Sequence, residues 1–247
     1  MFGVVINKYG NESVLNYQTD LKTPQPKPNQ VMVEVHASSV NPLDLMKREG
    51  YGAIIFEKQR QNKFPWALGS DFSGVVKDIG SQVTKFKVGD EVILTGWRVG
   101  ELFHGGFSQY ARVKAEHLIK RPTNLNSKHA MMMGTAGLTA MLCAFAVKAK
   151  EELFLQSKVN DVLVTGSTGG VGMVAVMVLS KMGCNVTALT GKPDKAEYLR
   201  ELGAKNVIDR KEFEGEASLI GKGTWDGVVD TVGGNILANA ISQTRLK

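Results

Sequence analysis

The sequence predicts an α/β protein of two domains, a β-rich N-terminal domain followed by a doubly wound parallel sheet. Three observations lead to this prediction. The 247 residues exceed the usual size of a single domain. The first half alternates short apolar runs with glycine-rich turns, whereas the second half alternates strand-like and helix-like segments. The change in pattern predicts a boundary near residue 125, with one domain at 1–125 and the other at 126–247.

The strands of the N-terminal domain are indicated by apolar residues at alternate positions. The pattern is clearest at 31–40 and continues in shorter runs at 72–76, 91–94 and 107–113. After these strands, residues 127–150 are rich in Ala, Met and Leu and contain no Pro, which predicts a long helix.

The second domain is predicted from strands and helices that alternate along the chain. Strands are expected at 161–165, 185–190, 205–208 and 227–232, and helices at 169–182 and 195–202. A complete dinucleotide-binding fold has six strands. We therefore expect a Rossmann-type sheet that is incomplete at the C-terminus and leaves its fourth strand as an uncovered edge.

Composition and charge exclude several classes of protein. Hydrophobic residues make up 43% of the chain and charged residues 22%, as in ordinary globular proteins. There is no signal segment and no apolar run of about 18 residues, so we expect no membrane span and a cytoplasmic location. The net charge is +6, but Lys and Arg are scattered among Asp and Glu, which argues against a nucleic-acid partner. The excess favours phosphate-bearing small molecules, and a solvated basic surface explains it equally well.

The turn after the first strand of the second domain is rich in glycine. It reads GSTGGVG at 166–172 and lies between a strand and a helix. Glycines in such a turn let the backbone approach a pyrophosphate, which binds at the helix N-terminus. The three-residue spacing of Gly166, Gly169 and Gly172 departs from the standard G-x-G-x-x-G. The strand and helix on either side favour dinucleotide binding over a purely structural turn.

The residues after the second strand of this domain favour NADPH over NADH. An NAD site usually has Asp or Glu here to hold the ribose 2′-hydroxyl, whereas this chain has Thr190, Gly191 and Lys192. A hydroxyl, a backbone amide and an ammonium group can hold a 2′-phosphate, and no carboxylate repels it. Arg210, after the third strand, adds positive charge or stacks on the adenine. Lys192 can also be read as an ordinary surface lysine, although its position favours a cofactor contact, and Arg210 can equally be read as a surface arginine.

Several further segments indicate the family that the chain resembles. They are TGWRVGE at 95–101, HGG at 104–106, QYARVK at 109–114 and GTAGLTAMLC at 134–143. With the turn after the first strand, they resemble the YhdH/YhfP branch of the medium-chain dehydrogenases/reductases over nearly the whole chain. This branch contains quinone oxidoreductase-like proteins and acryloyl-CoA reductases. The resemblance implies a GroES-like N-terminal domain and a Rossmann domain that binds NADPH.

The resemblance also implies which residues contact the cofactor. The pyrophosphate contacts are Thr168, Gly169, Gly170 and Val171, and the contacts to the adenosine phosphate are Thr190, Gly191, Lys192 and Arg210. Asn41 matches an Asn that lies near the nicotinamide. Thr135 either approaches the nicotinamide or caps a helix. Pro42 departs from the Tyr that often follows this Asn in the branch, so no mechanism that needs a phenol there is supported.

We predict that the chain holds no catalytic metal. The positions where many medium-chain dehydrogenases bind zinc read Asn41, Ser70 and Asp71. Cys143 and Cys184 lie elsewhere, and the four histidines show no paired spacing. Without zinc, the natural reaction is hydride transfer to an electron-poor double bond or a quinone.

The resemblance and this chemistry suggest roles for individual side chains. We hypothesise that Asn41 donates a hydrogen bond to the charge that develops on the substrate oxygen. Asp44 and Asp71 are candidate supports of the site, and for Asp71 a structural role in the 69–74 turn is favoured. The expected substrate is a small molecule, either an acryloyl-CoA-like enoyl thioester, an enone or a quinone.

The end of the sequence suggests a shortened protein. Relative to the resembled family, it lacks the C-terminal segment that completes the catalytic domain and often pairs subunits. We therefore expect a piece of a protein that is a homodimer at full length, with partial nicotinamide contacts and poor solubility. Two classes of function remain open: an active NADPH-dependent reductase, and a nucleotide-binding fragment with little or no catalytic activity.

Overall fold

The structure is a computed structural model that describes residues 1–51, 64–153, 158–218 and 221–245. It divides into two compact units, Met1–Thr135 and Ala136–Lys247. The first unit is β-rich, and the second alternates strands with helices. The predicted α/β fold class is therefore confirmed, while the domain boundary near residue 125 stays a prediction.

Antiparallel sheets form the first unit. Within the described residues its strands are β1 (Gly3–Ile6), β2 (Leu15–Gln18), β3 (Gln30–Ser39), β4 (Trp66–Ala67), β5 (Asp71–Ile79), β6 (Glu91–Thr95), β7 (Tyr110–Lys114) and β8 (Ile119–Lys120). They form a three-stranded sheet in the order β2-β1-β4 and a five-stranded sheet in the order β7-β3-β5-β6-β8. Alternate residues of the larger sheet, such as Val31, Val33, Phe72 and Val76, are buried in one core.

The strands predicted at 31–40, 72–76 and 91–94 are confirmed. The run predicted at 107–113 enters the sheet only at Tyr110. The physical reason is that the Phe107 amide donates to the carbonyl of Leu68, which lies outside this sheet.

The second unit contains a parallel sheet, four-stranded in the part of the chain that the structure describes. Its strands are β9 (Asp161–Val164), β10 (Asn185–Thr190), β11 (Asn206–Asp209) and β12 (Gly227–Val229), in the order β11-β10-β9-β12. This is the order of the first four strands of a doubly wound sheet. The helices Gly170–Lys181 and Ala196–Glu201 lie close to the predicted positions, and a further helix, Gly234–Ser242, follows β12. β9 is buried on both faces, as a parallel strand covered by helices should be.

Two local features of the chain were not predicted. A helix at Pro42–Glu49 begins with Pro at its first position and with a capping box formed by Asn41 and Asp44. The helix predicted at 127–150 is present as Ser127–Leu153, but Gly134 interrupts it with φ 44° and ψ −146°. Glycine adopts a positive φ without the steric cost that a Cβ would bring.

The segment Ser127–Ala149 is long and apolar enough to cross a membrane by length and composition, with a mean hydropathy of 1.8. The expectation that no such stretch exists is therefore wrong. Ala140 and Ala144 of this helix lie in the core of the second unit. Core helices of soluble proteins meet the same criteria of length and composition, so this helix alone assigns no membrane location.

Candidate active site

The predicted glycine-rich turn joins β9 to the helix Gly170–Lys181. Gly166 has a φ of 58°, and a Cβ added there would lie 2.3 Å from Thr231 Oγ1. A Cβ on Gly172 would lie 2.3 Å from the carbonyl oxygen of Gly166. Both distances are far inside van der Waals contact, so the turn and the helix pack this closely only with glycine at the two positions. The predicted strand, glycine turn and helix are thus confirmed.

The helix Gly170–Lys181 begins with backbone donors that can bind an anion. Gly169 is the N-cap residue and no side chain caps the helix within the described residues. The amide of Gly169 donates to the carbonyl of Gly166 at 2.8 Å and is already engaged. The amides of Gly170 and Val171 belong to the first turn, where an α-helix supplies no carbonyl partner. Together with the helix dipole, these two amides favour a phosphate.

A cleft lies at the carboxyl ends of β9 and β10. Its walls include five of the predicted cofactor residues, Thr168, Gly169, Gly191, Lys192 and Arg210. Of the residues that the structure describes, no Asp or Glu contributes to these walls. The cleft therefore combines Gly169, the N-cap residue of the helix, with two cationic side chains, which suits a phosphate group.

Thr190 contributes to this cleft indirectly, because its side chain is buried with 1% of the residue exposed. Its hydroxyl oxygen accepts from the Lys192 amide at 3.0 Å and lies 3.3 Å from Thr168 Oγ1. Thr190 thus shapes the turn that carries Lys192 and links it to the glycine turn.

Arg210 lies across Gly191 in the same cleft. A Cβ added to Gly191 would lie 3.1 Å from both Cζ and Nε of Arg210, so a side chain there would displace the guanidinium. The Nε of Arg210 lies 2.8 Å from Glu214 Oε1. Because this ion pair uses Nε, the two Nη groups provide the fork that suits a phosphate.

Asp230 organises the opposite side of the glycine turn, which the sequence analysis did not anticipate. Its two carboxylate oxygens accept from Thr165 Oγ1 at 2.6 Å and from the Gly233 amide at 2.9 Å. Thr165 Oγ1 in turn accepts from the Thr231 amide at 3.0 Å. These bonds tie the end of β9 to the end of β12, which is the switch point of the strand order. The position of Asp230 directly after an apolar strand is the sequence signal that could have identified this role.

A separate polar cluster lies in the first unit around Asp71. Asp71 is fully buried, and its carboxylate accepts from Ser39 Oγ at 2.7 Å and Asn41 Nδ2 at 3.0 Å. It also accepts from the backbone amide and the hydroxyl of Thr135, both at 2.7 Å. The cluster therefore brings together Asn41 and Thr135, the two residues predicted near the nicotinamide. Asp71 is the first residue of β5, so the favoured turn role is wrong.

The helix Pro42–Glu49 adds a buried charged network beside this cluster. Asp44 Oδ1 accepts from the Ser70 amide at 3.0 Å and from Ser70 Oγ at 2.7 Å. Lys47 Nζ donates to Ser70 Oγ at 3.1 Å and lies 3.8 Å from Glu101 Oε2. Burial lowers the pKa of Lys47, and the charges of Asp44 and Glu101 oppose that change. No sequence pattern marked Lys47 or Glu101 as buried.

Two family descriptions match the two parts of the chain. Residues 27–123 match the alcohol dehydrogenase GroES-like domain, and residues 170–247 match the zinc-binding dehydrogenase family. The probable acrylyl-CoA reductase AcuI of Escherichia coli (strain K12) is 38% identical over 243 residues, which cover 98% of this chain and 71% of that protein. The chain belongs to the medium-chain dehydrogenases/reductases.

Other members of this family are similar over most of the chain. The acrylyl-CoA reductase AcuI of Ruegeria pomeroyi is 41% identical over 217 residues, which cover 87% of this chain and 62% of that protein. The yhdH oxidoreductase of Salmonella enterica, solved in complex with NADP, has a TM-score of 0.83 and 38% identity, covering 99% of this chain and 71% of that one. The chain thus spans about two thirds of the length of these relatives. The family that the sequence predicted is confirmed.

The side chains that the structure describes do not fit the zinc ion that one family description names. In the ranges that the structure describes, no three His, Cys, Asp or Glu side chains are grouped as a metal site requires. Asp71 is occupied by the four donors described above, and the Ser70 hydroxyl donates to Asp44. The described residues therefore offer no ligand set for a zinc ion.

Proposed function

We propose that the protein is an NADPH-dependent oxidoreductase that acts without zinc on an acryloyl-CoA-like enoyl thioester, another α,β-unsaturated carbonyl compound or a quinone. The observation that carries the proposal is the cleft at the end of β10, which Lys192 and Arg210 line and to which no carboxylate of the described residues contributes. Such a cleft selects a 2′-phosphate over a 2′-hydroxyl. Relatives solved with NADP or NADPH support the same cofactor.

The second unit would hold the phosphate groups of the cofactor in two places. The amides of Gly170 and Val171 take the pyrophosphate, with Thr168 and Gly169 beside them. Lys192 and Arg210 take the 2′-phosphate, on the turn that Thr190 and Gly191 shape. Bound NADPH would supply a hydride from its nicotinamide ring.

Asn41 is the residue that we propose to act at the reacting groups, with Thr135 beside it. Its burial to 7% exposed and its bonds to Asp71 and Ser39 hold it in one orientation. A fixed polar side chain lowers the reorganisation needed during reaction. Relatives named acrylyl-CoA reductase and quinone oxidoreductase support the proposed substrate classes.

The proposal extends to the setting in which the protein works. We place it in the cytoplasm, with a small-molecule substrate, no nucleic-acid or membrane partner, and a homodimeric state for the full-length protein. The second candidate function is a nucleotide-binding fragment with little or no catalytic activity. The chain covers 71% and 62% of the two reductases it matches, and cofactor binding without turnover would be the evidence for this candidate.

Cofactor titration followed by turnover assays tests the proposal. The chain is titrated with NADPH and with NADH, and oxidation of the bound cofactor is then followed with acryloyl-CoA and with a simple quinone. Tight NADPH binding with turnover supports the reductase, and the faster substrate names its class. Binding without turnover supports the fragment. If neither cofactor binds, the cofactor assignment is wrong.

Lys192→Ala is the matched test of cofactor selectivity, with Lys195→Ala as its control. Lys195 is also exposed and lies near the same turn, but it does not border the cleft. We expect only Lys192→Ala to weaken NADPH binding while it leaves NADH binding unchanged.

A further inference from the structure

The cluster around Asp71 determines which hydrogen-bonding groups the site can offer. Asp71 is 0% exposed and takes four donors from three residues, Ser39, Asn41 and Thr135. Because an ionised carboxylate accepts only, each of these groups must direct its hydrogen at Asp71. The carboxylate thus fixes the direction of the hydrogen bonds that its neighbours make, as well as the positions of these neighbours.

Both side-chain amide hydrogens of Asn41 are used within the cluster. Its side-chain nitrogen has two hydrogens, and it donates to Asp71 Oδ2 at 3.0 Å and to Ser39 Oγ at 3.2 Å. Ser39 Oγ can accept here because its own hydrogen goes to Asp71 at 2.7 Å. No amide hydrogen of Asn41 therefore remains for a substrate. Its side-chain oxygen has two lone pairs, and the capping box with Asp44 uses at most one of them.

The same reasoning applies to Thr135. Its hydroxyl hydrogen is directed at Asp71 Oδ1, at 2.7 Å. The hydroxyl oxygen can accept a hydrogen bond but has no hydrogen left to donate. The hypothesis that Asn41 donates to a developing negative charge is therefore not supported by the hydrogen-bond pattern.

The break in the long helix makes this arrangement possible. Gly134 has φ 44°, and a Cβ added to it would lie 2.8 Å from both Asp71 Oδ2 and Ser39 Oγ. The break turns the Thr135 amide onto the carboxylate, and the missing side chain leaves room for the oxygen atoms. Gly134 thus permits the close approach that the cluster needs.

We propose that Asp71 is a positioning residue that orients Asn41 and Thr135, so that Asn41 presents its side-chain oxygen as an acceptor to a ligand N–H donor. A primary carboxamide, such as that of a nicotinamide ring, carries two such N–H groups. The proposal rests on the proposed function for the identity of this ligand. The orientation of Asn41 itself can be tested without any ligand.

The first measurement is hydrogen exchange of the Asn41 side-chain amide, followed by NMR of the ¹⁵N-labelled chain and assigned with Asn41→Ser. In the wild type, we expect both protons to exchange at least ~100-fold more slowly than those of the exposed Asn124, because buried bonded amides open rarely. Asp71→Ala should remove this protection, and Ser39→Ala should reduce it for one proton. If the wild-type protons exchange as fast as those of Asn124, or if Asp71→Ala leaves them protected, the proposal is wrong.

The second measurement compares Asp71→Ala with the conservative variant Asp71→Asn. An asparagine can keep its oxygen at the Oδ2 position and donate its NH₂ to Thr135 Oγ1, which then turns to accept. We expect kcat to fall roughly 100-fold in Asp71→Ala, because Asn41 would no longer be held in its position. The Asp71→Asn variant should keep most of the wild-type kcat. Asp78→Ala, in the same strand, is the control, because its recorded carboxylate bond is to the adjacent Ile79 amide.

The two measurements separate the proposals. If the wild type shows no turnover with any substrate, the proposed function fails, and amide exchange still decides the role of Asp71. If both Asp71 variants lose the same fraction of kcat while the Asn41 amide stays protected in both, Asp71 acts by its charge and the positioning role is wrong. If Asp71→Ala does not fold, Ser39→Ala and Asp71→Asn decide between the same outcomes.

Discussion

The glycine turn of the second unit and the Asp71 cluster of the first unit are built in opposite ways. In the proposed function, the turn binds through backbone amides of consecutive residues, such as Gly170 and Val171, and it needs small residues for close approach. The Asp71 cluster uses side chains from residues 39, 41, 71 and 135, held by hydrogen bonds in a buried site. Backbone sites therefore tolerate changes in side-chain chemistry but not in size, whereas buried side-chain sites are sensitive to both.

The largest effect on stability is expected from the charged network of the first unit. Lys47→Met removes the buried cation beside Asp44 and Glu101, which should lower the free energy of unfolding by roughly 3 kcal/mol. Denaturant unfolding at pH 7 measures this value. Lys205→Met, which removes an exposed lysine of the second unit, is the control and should change it by less than about 0.5 kcal/mol. An unchanged value for Lys47→Met would mean that the network contributes little.

The same lysine makes wild-type stability depend on pH. Because its pKa is lowered on folding, the unfolded chain binds more protons in the window between the folded and unfolded pKa values. Stability should therefore rise as the pH rises through that window. The slope should be absent in Lys47→Met, and a slope that is the same in both proteins would contradict this.

Asn41→Asp tests the hydrogen-bond polarity of the Asp71 cluster. It places a second carboxylate 3.0 Å from Asp71 Oδ2, where the amide now lies, and activity at pH 7 should fall roughly 100-fold. Because like charges raise the pKa of one carboxyl of the pair, a shared proton restores the hydrogen bond as the pH falls. Activity should then recover on acidification. Asn41→Ala is the comparison and should show no such recovery in a pH–rate profile.

Gly172→Ala tests the size limit of the backbone site. The added Cβ would meet the Gly166 carbonyl oxygen at 2.3 Å, so the helix must shift from the turn. We expect a loss of roughly 1–3 kcal/mol in stability and weaker binding of both NADPH and NADH. Gly183→Ala is a useful comparison, because its φ of 85° is strained for alanine although no atom lies within 4 Å of the added Cβ. It should lower stability without changing cofactor binding.

Lys192→Ala should have the smallest effect. Lys192 is exposed, so the loss of its charge should weaken NADPH binding by about 1 kcal/mol, or roughly fivefold in Kd. Raising the ionic strength should reduce this difference, because salt screens exposed charges. A similar loss for NADH would show that Lys192 does not contact the 2′-phosphate.

The accuracy of the sequence predictions follows the same division between the two regions. The 166–172 turn was predicted because its strand, glycines and helix are neighbours in sequence. Asp71 was predicted only as a candidate support, with a turn role favoured, because its partners Asn41 and Thr135 are far apart in sequence and no periodicity connects them. Lys47 was also missed, since its helix is short and a lysine there is usually solvated. The cofactor and catalytic residues themselves remain predictions.

By itself, the sequence determined the order of strands and helices, the β-rich and doubly wound halves, and the glycine turn. These depend on local propensity, on apolar periodicity and on the absence of a Cβ, all of which a run of residues carries. Only the tertiary structure decided which polar groups meet at Asp71 and which hydrogens they retain. That outcome depends on burial and on donor geometry, because a buried carboxylate must be satisfied by whichever donors the fold brings within reach.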